Sequence, residues 1–101
     1  MFKSKEMLGV LLFEADNGLY ATCNLRPSTG LLTVIGGSRD DDWDMGGDCY
    51  HKNLSTQRAT SIILRTIGEE HHEDVWVDVH ELIKSHQLFK IAEFERRIKE
   101  I

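Results

Sequence analysis

The sequence is poor in the residues that interrupt chains, staple them or carry them across membranes. Of 101 residues one is a proline, Pro27, and two are cysteines, Cys23 and Cys49. Two cysteines without CxxC spacing do not make a disulfide scaffold; both are expected to be free thiols, one of them in the core. No apolar run reaches the roughly 18–20 residues that a membrane-spanning helix needs. Lys3 and Lys5 precede the apolar stretch Met7 to Phe13, but Glu14 and Asp16 close it without a small-residue cleavage site, so a secretory signal is not expected. These absences point to a cytoplasmic chain. Cationic charge is scarce too: 12 Lys and Arg stand against 17 Asp and Glu, for a net charge of −5. Such a chain repels phosphate at long range. Along the sequence its basic residues gather only at Arg96, Arg97 and Lys99, flanked by Glu95 and Glu100. Direct nucleic-acid binding is therefore not expected.

What is present is an ordinary globular composition, 41% hydrophobic and 29% charged. It is enough for one domain over residues 1–101 and too short for two. The pattern predicts an α+β fold. Leu8 to Phe13 is a continuous apolar run, read as a strand buried on both faces. Asn17-Gly18 supplies the positive-φ pair of a tight hairpin. Leu19, Ala21, Cys23 and Leu25 then alternate with Tyr20, Thr22 and Asn24, the signature of a half-buried antiparallel strand. Arg26 to Gly30 makes a second turn, and Leu31 to Ile35 completes a three-stranded antiparallel meander. Ser38 to Lys52 has no periodicity and holds five aspartates, so it reads as a long surface loop.

A helix is predicted from Ser55, an N-cap, to Gly68, suited to a left-handed stop, with Ala59, Ile62, Ile63 and Ile67 on one face. Glu69 to Asp74 reads as a solvated connector and Val75 to Val79 as an alternating fourth strand. Asp78 and Glu81 at capping-box spacing start a short helix through Ser85, with a break there; Leu88, Ile91, Ala92, Phe94, Ile98 and Ile101 continue at helical spacing. The element order is β-β-β-α-β-α. A right-handed crossover would place strand four parallel to strand one, in sheet order 3-2-1-4.

That topology resembles the front part of a ribonuclease H-like fold, and Ser55 to Ser85 is similar to the helix–strand–Asp–helix portion of that family. The resemblance implies a nuclease with two metal ions held by carboxylates, and places Glu14, Asp16 and Asp78 as the candidate catalytic set. The helix from Ser55 to Ile67 offers no carboxylate, a departure from the family pattern.

Other chemistry has weaker local support. Asp40, Asp42 and Asp44 match the first three ligand positions of an EF-hand loop, but Met45 replaces the glycine and His51 the glutamate. Cys49 and His51, completed by Cys23, His71, His72 or His80, lack the second ligand pair of a zinc site. No motif supports Cys23 or Cys49 as a nucleophile. Neither Gly36-Gly37 nor Gly46-Gly47 leads into a phosphate-binding motif. No metal or cofactor is expected, and nothing here names an enzyme.

The charge distribution is more informative. Eleven of the 17 acidic residues fall in two segments, Asp40, Asp41, Asp42, Asp44 and Asp48, then Glu69, Glu70, Glu73, Asp74, Asp78 and Glu81. Trp43 sits within the first, and tryptophan is enriched at interface hot spots. The expected function is a small, acidic, non-enzymatic interaction module: an inhibitor, antitoxin-like partner or adaptor on a basic surface of a partner protein, such as one that holds nucleic acid. Asp40, Asp41, Asp42, Trp43 and Asp44 would make the contact, with Glu69, Glu70, Glu73 and Asp74 adding charge. The alternative is a metal-dependent hydrolase, a minimal or degenerate ribonuclease H-like nuclease. Homodimerisation through Phe94, Ile98 and Ile101 is compatible with either.

Overall fold

Alternation of apolar and polar side chains along successive short segments builds one antiparallel sheet. The computed structural model describes residues 2–38, 49–69 and 73–99. Five strands, β1 (Phe2–Met7), β2 (Val10–Ala15), β3 (Leu19–Arg26), β4 (Leu31–Ser38) and β5 (Cys49–Leu54), pair in chain order with every neighbour antiparallel. Two helices, α1 (Thr56–Ile67) and α2 (Glu73–Lys99), follow and cover one face of the sheet.

The fold is α+β with an antiparallel meander, as the pattern predicts, but several details differ, among them the additional edge strand β1. Leu8 to Phe13 is not one doubly buried strand. Leu8 and Gly9 form a turn with φ of 53° and 83°, and Leu8 is fully exposed. Beyond the turn Leu11 and Phe13 face the core while Val10 and Leu12 face the other way. The predicted loop Ser38 to Lys52 ends in a strand: β5 begins at Cys49, opposite Gly36. Its register slips between Leu32 and Val34, where Asn53 takes φ 61°; such a bulge hides the alternation that marks a strand in sequence. Val75 to Val79 is helical, part of a continuous α2 that does not break near Ser85. With no strand there, no parallel pair forms among the described residues. The order is β1-β2-β3-β4-β5 rather than 3-2-1-4.

α1 is delimited as its sequence specifies. Ser55 Oγ accepts from the Arg58 N–H at 3.3 Å. Gly68 adopts φ 80°; its N–H donates to the Arg65 carbonyl at 3.2 Å, and that of Glu69 to the Leu64 carbonyl at 2.8 Å. Together these close the helix with the paired bonds of a Schellman cap. Thr60, fully buried, donates its hydroxyl to the Thr56 carbonyl at 2.8 Å, which removes the penalty of a lone buried hydroxyl.

The core forms where α1 lies on the sheet, with Ile63, Leu64 and Ile67 against Phe13, Leu32 and Val34. The approach is close. A Cβ on Gly36 would stand 2.5 Å from Thr66 Cγ2 and 2.8 Å from the Tyr20 carbonyl oxygen. α2 adds less, burying Val79, Ile83 and His86 out of 27 residues, and is fastened to the turns by polar bonds instead. His86 Nε2 donates to the Gly9 carbonyl at 3.2 Å and Gln87 Nε2 to the Gly30 carbonyl at 2.7 Å. Thr56 Oγ1 donates to Gln87 Oε1 at 2.5 Å. After Ile91 no described residue of α2 is buried.

Candidate functional site

The carboxylates proposed for a nuclease are not brought together. Glu14, near the end of β2, lies on the sheet face away from the helices and pairs with Lys5 at 3.7 Å. Asp16 is in the β2–β3 turn. Asp78 is exposed on α2, in the helical layer. The sheet separates Glu14 from Asp78, and no two-metal site spanning 3.5–4 Å fits that geometry. No group of three or more His, Cys, Asp or Glu side chains able to hold a metal occurs among the described residues.

Nor does a thiol nucleophile emerge among the described side chains. Cys23 is a free thiol, buried on β3, and burial pushes its pKa up to about 12, so it stays protonated and unreactive near neutrality. His80 stacks on Trp76, with ring centroids 4.8 Å apart and 11° between planes; the indole N–H donates to Ser61 Oγ at 3.1 Å. The bond to Ser61 ties α2 to α1. His71 and His72 lie outside the described residues, as do Asp40, Asp41, Asp42, Trp43, Asp44, Asp48, Glu70 and Ile101.

The topology brings both anchors of residues 39–48 to the end of the sheet where α1 finishes. Ser38, where β4 ends, pairs with Leu19 just after the Asp16-Asn17-Gly18 turn, and Cys49 re-enters the sheet opposite Gly36. Both anchors of residues 39–48 are therefore at the β2–β3 turn end of the sheet. α1 ends there as well: a Cβ on Gly68 would meet Asn17 Nδ2 at 3.7 Å. Glu69 follows directly, and Glu73 and Asp74 open α2, where carboxylates also complement the helix dipole. Lys3, opposite Glu14, and Arg65, in the last turn of α1, are the cations at this end among the described residues.

Two grooves flank α2. One, of about 370 Å³, lies between β1 and α2, with Leu82 and Phe89 half-exposed on its wall and His86 at its floor, 3.9 Å from Glu6. The other, about 530 Å³, runs between the helices beside Arg58, Ser61, Arg65 and Trp76.

No element among the described residues covers the face of the sheet turned away from the helices. Leu12, Thr22, Ile35 and Tyr50 are opposite one another in register and form a single row across four strands. Tyr20 stands in the next row, opposite Gly37. Tyr50 is 60% exposed and Ile35 38%. Sequence reasoning missed this surface because its residues come from five separate segments; only the pairing register assembles them.

Comparison with protein-family models, with curated proteins and with solved structures finds no match for the chain.

Proposed function

We propose that this protein is a small interaction module whose acidic end docks on a basic surface of a partner protein, as an inhibitor, antitoxin-like factor or adaptor does. One observation supports the reading above others: both anchors of residues 39–48, the end of α1 and the start of α2 share one end of the molecule. Acidic segments separated by some twenty residues thereby converge on a common field, and a focused field raises association rates with an oppositely charged partner. In this reading Asp40, Asp41, Asp42, Trp43 and Asp44 supply the contact, with Trp43 as the aromatic anchor. Glu69, Glu70, Glu73 and Asp74 supply long-range attraction. The partner belongs to the class of proteins with a basic surface, such as one that itself holds nucleic acid.

The test is affinity capture from lysate, followed by titration of the purified partner. Trp43→Ala should weaken the complex by about 2 kcal/mol, roughly thirtyfold in Kd. Glu73→Lys with Asp74→Lys should slow association and flatten its salt dependence. A complex indifferent to both salt and Trp43→Ala would sink the proposal.

A further inference from the structure

The open face of the sheet carries the opposite charge to the chain as a whole. Strand register places Lys3 and Lys5 of β1, Arg26 of β3 and Lys52 of β5 on it, with Glu14 the only acidic side chain among its described residues. Four cations thus face one carboxylate in a protein of net charge −5. They sit around the apolar row rather than within it. Lys3 and Lys5 occupy one edge strand and Lys52 the other, while Arg26 and Lys52 close a small concavity of about 150 Å³ with Tyr50 and Thr33. From β1 to β5 the face is about 19 Å wide, four strand spacings. It offers two tyrosine rings, Tyr50 on the edge strand β5 and the half-buried Tyr20 on the central strand β3, opposite Gly37.

This arrangement limits what can cover the face. Packing it against the same face of a second copy would oppose two sets of four cations, an unfavourable contact at close range. An acidic protein surface would satisfy the cations, and tyrosines serve such interfaces too, but it presents its charge at separate points rather than along a line. A ligand that is anionic along its length and carries flat, stackable groups satisfies both features at once.

We propose that the open face of the sheet binds single-stranded nucleic acid. Lys3, Lys5, Arg26 and Lys52 neutralise the phosphates, and bases stack on Tyr20 and Tyr50 over the floor of Leu12 and Ile35. Such platforms combine a basic track with aromatic stacking and tolerate many sequences. The proposal reverses the expectation drawn from the linear sequence. The four cations are spread from position 3 to position 52 and become neighbours only through strand pairing. The face meets the acidic end at Lys3 and beside Ser38 and Cys49, but Arg26 and Lys52 lie towards its other end, so their loss tests this site and not the acidic one.

The experiment is fluorescence polarisation of a labelled oligothymidylate with the full-length chain across a salt series. Saturable binding is expected, with log affinity falling against log salt at a slope of about −2 to −3, the value for three or four phosphate contacts on a single strand. Arg26→Ala with Lys52→Ala should weaken binding at least about tenfold, and Tyr50→Ala about fivefold to a hundredfold, the range for loss of one stacked base. All three side chains are exposed, and unchanged thermal melts would show that the variants fold. Arg96→Ala with Arg97→Ala, on α2, should leave binding intact. Failure to bind at low salt would overturn the proposal. So would equal competition by duplex, losses caused by the α2 pair instead of the face variants, or adsorption to phosphatidylserine vesicles without oligonucleotide binding.

Discussion

Replacing Gly36 by alanine tests how closely α1 approaches the sheet. The backbone there is not in the left-handed region, so alanine is conformationally allowed. Loss of unfolded-state entropy would by itself stabilise the protein by about 0.4–1 kcal/mol. Packing acts the other way. The added methyl would stand 2.5 Å from Thr66 Cγ2 and 2.8 Å from the Tyr20 carbonyl oxygen, whereas apolar carbons are at ease near 3.5–4 Å. The Tyr20 oxygen belongs to the strand paired with β4 and the Thr66 methyl to the helix above. Relief therefore requires β3 and β4 to part or α1 to lift. Overpacking of this kind costs about 1–3 kcal/mol, which outweighs the entropic gain and leaves a net loss of about 1–2 kcal/mol. For a domain of this size that lowers the melting temperature by about 5–15 °C.

The assay is thermal unfolding followed by circular dichroism, with Thr66→Ser as a companion. Serine removes the methyl and keeps the hydroxyl that donates to the Ile62 carbonyl at 2.7 Å. The double variant should recover about 0.5–1 kcal/mol relative to additivity, and the Tyr20 contact should keep it below the parent. A Gly36→Ala protein that melts at or above the parent temperature would refute the close approach; strict additivity would refute the role of the Thr66 methyl.

Two further outcomes are expected. Gly68→Ala forces a side chain into φ 80° and should lower the denaturant midpoint by an amount equivalent to about 1–2 kcal/mol; no change would mean that the cap is not maintained in solution. Cys23 has a folded pKa raised from 9.0 to about 12 by burial, so its contribution to stability is complete below about pH 9 and is lost as pH rises towards 12. The expected slope is up to about 1.4 kcal/mol per pH unit in that window. Cys23→Ala should flatten it, and native Cys23 should resist alkylation at pH 8 until denaturant is added.

The parts legible in the sequence are those whose signals are local. Ser55 and Gly68 delimit α1 by chemistry that needs no partner, and Asn17-Gly18 closes its hairpin through the Asn17 side chain, which accepts from the Leu19 N–H at 3.0 Å. Ala21, Cys23 and Leu25 of β3 show their buried face plainly. β1 was not legible because it has little burial to announce: apart from Phe2 its side chains are exposed on both faces. Lysines suit such an edge because they discourage further strand pairing. The segment from Val75 to Val79 misleads because one set of residues serves two periods. Val75, Val77 and Val79 alternate, yet Trp76, Val79, Ile83 and His86 also fall at helical spacing, and contact with Ser61 on α1 favours the helix. The acidic segments were legible as composition, but the position of the anchors of residues 39–48 depends on how β4 pairs with β3 and β5. The basic face was not legible at all, since cations far apart in sequence meet only across strands.

The bonds by which α2 holds the turns bear on how the chain is made. Each strand pairs with the one immediately before it, so during synthesis, which delivers the N-terminal portion first, every strand meets its neighbour as soon as it appears. His86 and Gln87 reach back 77 and 57 residues to fasten the Gly9 and Gly30 turns. An unfinished chain that stops short of them can assemble its ladder and seat α1. It leaves Leu11 bare where α2 would cover it, and the first and third turns of the meander untied. α2 is thus the element that closes the fold, tying the Gly9 and Gly30 turns to the helical layer long after their strands have paired.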